Sequence, residues 1–124
     1  MTEPVSRNRF AFPESRRLTR SAEFERVKRD GKVERGILIL LSVLETNEPV
    51  PFRAAFITSR TLGSAVTRNR VRRRLREVVR KHQHEIVNGT WIVMIARTSA
   101  ARASYQELEG EWLRLAKRAS ILAA

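Results

Sequence analysis

The sequence contains no cysteine, so disulfides, thiolate nucleophiles and cysteine-ligated zinc are excluded at once. It is also short of acid, with 13 Asp and Glu against 25 Lys and Arg and a formal net charge of +12. No run approaches the roughly 18 to 20 consecutive apolar residues that a membrane-spanning helix requires. The opening Met1-Thr2-Glu3-Pro4-Val5 is not followed by the apolar stretch of a signal peptide. With only two histidines present, little material is available for acid-base chemistry. We therefore expect a soluble, cytoplasmic protein without membrane association.

What is present suits one small domain. A chain of 124 residues can build a single core but not two ordinary ones, and apolar residues at 42% support a packed interior. A surface this basic attracts polyanions. Nucleic acid is the usual partner, because each neutralised phosphate releases condensed counterions and the gain accumulates with every cation. The preference for arginine over lysine favours planar, two-pronged contact with phosphate.

Residues 1–15 carry Pro4, Pro13 and several arginines without apolar periodicity, which predicts a flexible basic arm ahead of one domain over 16–122. Ser21 is placed to cap a first helix, with Glu23 and Glu25 early, Lys28 and Arg29 late, and Gly31 closing it. Phe24 and Val27 share one face of that helix, and Leu18 packs beside them. The run Ile37-Leu38-Ile39-Leu40-Leu41-Ser42-Val43-Leu44 predicts a central strand. After a turn at Asn47 to Pro51, Phe52, Ala54 and Phe56 alternate with Arg53, Ala55 and Ile57, and the two strands together suggest a hairpin.

A long helix is predicted from Val66 to Ile86, because Val71, Leu75, Val78 and Val79 follow the spacing of a buried stripe. Trp91-Ile92-Val93-Met94-Ile95-Ala96 has the length and composition of a third strand, and Thr98 to Ala103 reads as a loop. Ser104 and Glu107 form a capping box that starts a last helix, on which Tyr105, Leu108, Trp112, Leu115 and Ala119 keep one face. The order of helix, strands, helix, strand, helix predicts an α+β sandwich with helices on a small sheet.

The long helix carries Arg68, Arg70, Arg72, Arg73, Arg74, Arg76, Arg80 and Lys81 with only Glu77 among them. Like charges three and four residues apart destabilise a helix by about 0.2–0.5 kcal/mol per pair, whereas an ordinary solvated face mixes both signs. A polyphosphate ligand would supply the missing compensation. The helix N-terminal amides near Val66 to Arg68 and the arginine forks add anion-binding capacity at the same end.

The stretch Gly63-Ser64-Ala65-Val66-Thr67-Arg68-Asn69-Arg70-Val71-Arg72-Arg73 resembles the Arg-Asn-Arg signature of bacterial ribonuclease P proteins. Arg17-Leu18-Thr19-Arg20-Ser21-Ala22-Glu23-Phe24 is similar to the family's approach to its first helix, and Trp91 to Arg97 to its late strand. The resemblance spans about Arg16 to Arg118. It implies an α-β-β-β-α-β-α sandwich like that of a domain of ribosomal protein S5, with a left-handed crossover. Only three strands are legible in the pattern. The fourth comes either from Arg53 to Arg60 split from an earlier piece or from Lys32 to Val43 divided at a bend near Gly36, and both remain open.

The resemblance further implies that the protein is an accessory subunit which binds a catalytic RNA and the 5′ leader of precursor tRNA, assisting endonucleolytic maturation of the tRNA 5′ end. It places Arg68, Asn69, Arg70, Arg72 and Arg73 against the catalytic RNA, with Arg76 and Arg60 as neighbours. It also implies a cleft between the first helix and the sheet where aromatic side chains stack on the leader. Phe24 matches one such position. Lys28 stands one turn later, where an aromatic is frequent, and Leu40 replaces a tyrosine. Phe56 and Phe52 either line that cleft or belong to the core.

Magnesium is implied to be held by the RNA subunit, with no cofactor on the protein and no obligate protein partner. The residues themselves agree in offering no cluster of carboxylates for metal catalysis and no acid-base histidine pair. His82 and His84, two apart on a helix, point about 200° apart and read as solvated residues of a helix end. Glu107, Glu109 and Glu111 complement the dipole of the last helix.

Three other classes remain to be weighed. A non-catalytic ribosomal or DNA-binding protein would lay its basic helix in a groove or on ribosomal RNA, but a helix-turn-helix needs two closely spaced helices, whereas strands flank the basic helix on both sides. An autonomous nuclease would need the carboxylate cluster or histidine pair that is missing. A membrane-surface helix fails because its apolar stripe is needed for the core. The charge pattern predicts that affinity for structured RNA falls by about 10³-fold or more between roughly 50 and 200 mM salt; a flat salt titration would contradict it.

Overall fold

The computed structural model describes residues 16–123, so the arm expected over 1–15 lies outside the described residues. The elements run α1 (Ser21–Asp30), β1 (Lys32–Arg35), β2 (Ile39–Glu45), β3 (Arg53–Ile57), α2 (Ala65–Lys81), β4 (Thr90–Ala96) and α3 (Tyr105–Arg118), with 3-10 turns at Arg60–Leu62, Gln83–Glu85 and Thr98–Arg102. This is the α-β-β-β-α-β-α order that the family resemblance implies. The fourth strand comes from the division near Gly36, which separates β1 from β2.

The sheet order is β1-β2-β4-β3. The hairpin expected between β2 and β3 does not form, because β4 lies between them, antiparallel to β2 and parallel to β3. The physical reason is burial. β4 is apolar on both faces and almost wholly buried, so it belongs in the interior of a sheet covered on both sides. The actual hairpin is β1 with β2. β3 reaches its parallel neighbour through α2, the crossover for which the resemblance implies a left hand.

Helices cover both faces. Against one face, Val71, Leu75, Val78 and Val79 of α2 and Leu108, Trp112, Leu115 and Ala116 of α3 pack on Ile39, Leu41, Val43, Ala54, Ile92 and Met94. Against the other, Val27 and Phe24 of α1, with Leu18, cover Ala55, Trp91 and Val93. The alternation expected for β3 holds, since Phe52 and Ala54 face α2 and α3 while Ala55 and Ile57 face α1.

Four local expectations are corrected. Ser21 does not cap α1. Arg20 occupies the cap position, and the Glu23 carboxylate accepts from the backbone N–H groups of Thr19 at 3.2 Å and Arg20 at 3.3 Å. Burial works against the Glu23 charge, but these bonds and the Arg53 guanidinium at 2.7 Å outweigh it and hold the carboxyl below its ordinary range. The long helix stops at Lys81 rather than Ile86, giving way to the 3-10 turn.

His82 is not a solvated helix-end residue. Its ring stacks on Trp112 with centroids 5.7 Å apart, while Nδ1 lies 2.9 Å from Glu85 and Nε2 lies 2.8 Å from Glu109. Burial disfavours the imidazolium, but the hydrogen bonds and charges of the two glutamates overturn that and raise its pKa above the ordinary 6.5. Hydrogen bonds from His82 and Lys81 lower that of Glu109 in turn.

Glu111 does more than complement a dipole. It is buried within α3 and accepts the N–H groups of Ile37 at 3.1 Å, Leu38 at 2.7 Å and Ile39 at 2.8 Å, all at the β1–β2 turn. Gly36 makes this possible, because a Cβ there would collide with the Glu111 carboxylate. The capping box predicted at Ser104 and Glu107 is present as drawn from the sequence.

Replacing Glu111 with Ala strands three amides and is expected to cost about 3 kcal/mol in urea unfolding, with Glu111→Gln losing less. His82 gives a pH signature. Its contribution is complete below the unfolded-state pKa and is lost as pH rises through the raised folded-state value. The stability advantage of wild type over His82→Phe should therefore shrink as pH rises above about 6.5 and through the raised folded-state value, and a gap that widens would contradict the imidazolium contacts.

Candidate nucleic-acid interface

The phase of α2 is set by its four buried aliphatics, so the direction of every arginine follows from its position on the helix. Arg73 points away from the core and is exposed. Arg72 and Arg76 lie on one flank and Arg70 and Arg74 on the other. The helix starts at Ser64, whose hydroxyl accepts the Thr67 N–H at 3.3 Å, immediately after Gly63 at φ 134°. Arg60 is exposed in the 3-10 turn leading there.

Ion pairs on α2 gather at its C-terminal end, where Arg80 meets Glu77 at 2.7 Å and Lys81 meets Glu109 at 3.0 Å. Among the described residues, Arg68, Arg70, Arg72, Arg73, Arg74 and Arg76 have no carboxylate partner. Arg70 and Arg74 instead donate to the backbone carbonyls of Ala101 at 3.1 Å and Ala103 at 2.7 Å. These bonds tie the ridge to the 3-10 turn after β4 and leave its charge uncancelled.

The other flank opens onto a cleft. Arg72 and Arg76 line a cavity of about 450 Å³ together with Arg17, Leu18, Phe24, Phe56, Ile57 and Thr58. Its walls come from the segment before α1, the start of α1, the edge strand β3 and α2. Arg17 bridges to Ala54, and the Leu18 N–H donates to the Ala54 carbonyl at 3.0 Å, which holds the pre-helix segment along β3.

The aromatic candidates separate here. Phe52 is buried in the core at 2% exposure, which closes the alternative left open for it. Phe24 and Phe56 are half-buried and line the cavity, and the Arg76 guanidinium lies 6.0 Å from the Phe56 ring centre. Lys28 is exposed one turn beyond Phe24 and is not among the lining residues. A cross-strand row of Leu40, Ile95 and Ile57, each half-buried, occupies the α1 side of the sheet in register.

The structure thus brings Phe24, Phe56, Arg72 and Arg76 into one cleft, while Arg60, Arg68, Arg70 and Arg73 lie outside it. Asn69 joins the two regions, its Oδ1 accepting from Arg72 Nη1 at 2.8 Å, and the other Arg72 nitrogen donates to the Thr58 hydroxyl. Arg17 and Thr58 were not singled out from the sequence. Arg17 lay in the stretch that resembles the family's approach to its first helix, but its place in the cleft comes from a pairing with Ala54 that joins segments distant along the chain.

The family model for ribonuclease P matches residues 12–120, nearly the whole chain. The chain belongs to the ribonuclease P protein family. A ribonuclease P protein component of Acidothermus cellulolyticus is 42% identical over 109 residues, covering 86% of this chain and 90% of that one. The component from Roseiflexus sp. strain RS-1 is 38% identical, covering 87% and 88%. Among solved structures, the RNase P protein of Staphylococcus aureus superposes with a TM-score of 0.80 at 25% identity, over 86% of this chain and 97% of that one. The Thermotoga maritima RNase P protein gives 0.73 at 24% identity, over 82% and 96%.

As a ribonuclease P protein, the chain is the accessory subunit of an endoribonuclease of tRNA 5′ maturation and associates with the ribonuclease P RNA. Membership sets aside the ribosomal, DNA-binding and autonomous-nuclease alternatives. Among the described residues, no three His, Asp or Glu side chains converge as a metal-holding group. No helix among them is long and apolar enough to cross a membrane.

Proposed function

We propose that the arginine ridge of α2 holds the catalytic RNA while the cleft between α1 and β3 holds the single-stranded 5′ leader of precursor tRNA. The observation that carries this is the run of six α2 arginines without a carboxylate partner among the described residues, on a helix whose rotation is fixed by its core stripe. Arg68, Arg70 and Arg73, with Arg60 ahead of them, meet RNA phosphates, where the planar guanidinium forms two parallel bonds. Arg72 and Arg76, expected from the sequence to meet the catalytic RNA, are assigned instead to the leader because they line the cleft.

In the cleft, Phe24 and Phe56 offer ring faces to bases. Lys28, on the exposed side of α1, reaches a leader phosphate. The chemistry of cleavage, including its magnesium, belongs to the RNA subunit; the protein raises affinity for precursor tRNA and supplies no reacting group. It works in the cytoplasm and requires no obligate protein partner.

Reconstitution tests this directly. Added to a bacterial ribonuclease P RNA at low magnesium, the protein is expected to promote cleavage of precursor tRNA at the mature 5′ end, and the protein alone to cut nothing. An unchanged RNA-only rate would overturn the assignment. Replacing both Arg68 and Arg70 with Ala is expected to weaken RNA assembly by about tenfold or more, since a charge-assisted hydrogen bond is worth about 1.5 kcal/mol or more. Circular dichroism should stay unchanged, and unchanged RNA affinity alongside it would remove these residues from the contact.

A further inference from the structure

Building on the leader-binding role proposed above, we infer that Arg17, Arg72 and Arg76 form a phosphate subsite on the α2 side of the cleft, which takes one phosphodiester of the leader strand. The three side chains arrive from separate parts of the chain, the pre-helix segment and two successive turns of α2, and line the same open cavity. None of the other lining residues is acidic.

Each arginine is prepared for an anion in a different way. The Arg17 Nε is buried and has no hydrogen-bond partner among the described residues, although its neighbouring carbonyl is engaged by Arg53 at 2.7 Å. A buried donor without an acceptor costs free energy that an arriving phosphate oxygen recovers. Arg72 is already held by the Asn69 amide oxygen and the Thr58 hydroxyl, so little side-chain freedom remains to be lost on binding. Arg76 is braced over the Phe56 ring. Burial first, and then the positive charges of Arg17 and Arg72, disfavour its charged form, and an anion between the three relieves that repulsion.

The surroundings explain why a phosphate grip matters in this chain. The cleft has two aromatic faces, Phe24 and Phe56, and its other uncharged lining is Leu18, Ala54, Ala55 and Ile57 with the small polar Thr19 and Thr58. Aliphatic surface stacks on bases less effectively than aromatic surface, so more of the leader affinity falls to charge. Asn69 is then a positioning residue, acting on the leader through Arg72 rather than by contact.

The test uses the reconstituted holoenzyme and precursor tRNAs carrying one neutral methylphosphonate at successive leader positions. With wild-type protein, one position is expected to lose about tenfold in affinity, the scale of one charge-assisted contact. With Arg17→Gln or Arg76→Gln, that same substitution should cost little more, because the contact is already gone. Asn69→Ala should reduce the penalty at that position only. Arg76→Lys keeps the charge and guards against a folding defect, which melting curves also monitor; it should retain part of the penalty.

Penalties that add independently at every position would overturn the subsite. So would coupling of these arginines to methylphosphonates in the catalytic RNA instead of the leader. If removing the whole leader leaves wild-type affinity unchanged, the leader-binding role fails as well. If leader removal weakens binding but no single position couples to Arg17 or Arg76, only the subsite fails.

Discussion

The functional surface depends on the docking of Val71, Leu75, Val78 and Val79 into the sheet. Each is fully buried, and burial of such a side chain is worth about 1.5–3 kcal/mol. The repulsion along α2 amounts to a few tenths of a kcal/mol per like-charged pair. Packing therefore wins, and the helix keeps its rotation despite the charge it carries. A slip of one residue would turn the helix by about 100° and drive Arg72 toward the core, so the stripe and the ridge constrain each other.

That constraint lets one helix serve two surfaces. Its Arg70 and Arg74 flank is tied to carbonyls of the 3-10 turn after β4, while the Arg72 and Arg76 flank forms a wall of the cleft. The opposite wall is α1, fixed by Val27 in its own small core and by the Glu23–Arg53 pair at its base. The spacing between ridge and cleft is then a property of the packed fold and not of flexible side chains.

What could be read from the sequence was what depends on neighbours along the chain. The α2 stripe and the Ser104–Glu107 box are local, and both occur where periodicity and cap chemistry put them. Strand partners are not local. Nothing in the alternation of 52–57 says that β4, more than thirty residues later, will pair with β3 in place of β2. The same limit hid Glu111 and His82. Each sat where a helix terminus explained it, and each is engaged by groups brought close only by folding. At the site, the signature arginines were legible from charge density. Arg17 was not, since its role arises from the bridge to Ala54.

The placement of β4 between β2 and β3 has a consequence for biosynthesis. A chain emerging from the ribosome exposes β1, β2 and β3 first, yet β2 and β3 are not joined in one sheet until residues 90–96 are free to insert between them. The arginine helix is released earlier, before the strand that completes its apolar seat. Closing so distant a pairing is entropically slow, so the nascent protein displays its most cationic segment ahead of its finished core, at a moment when polyanions crowd around it.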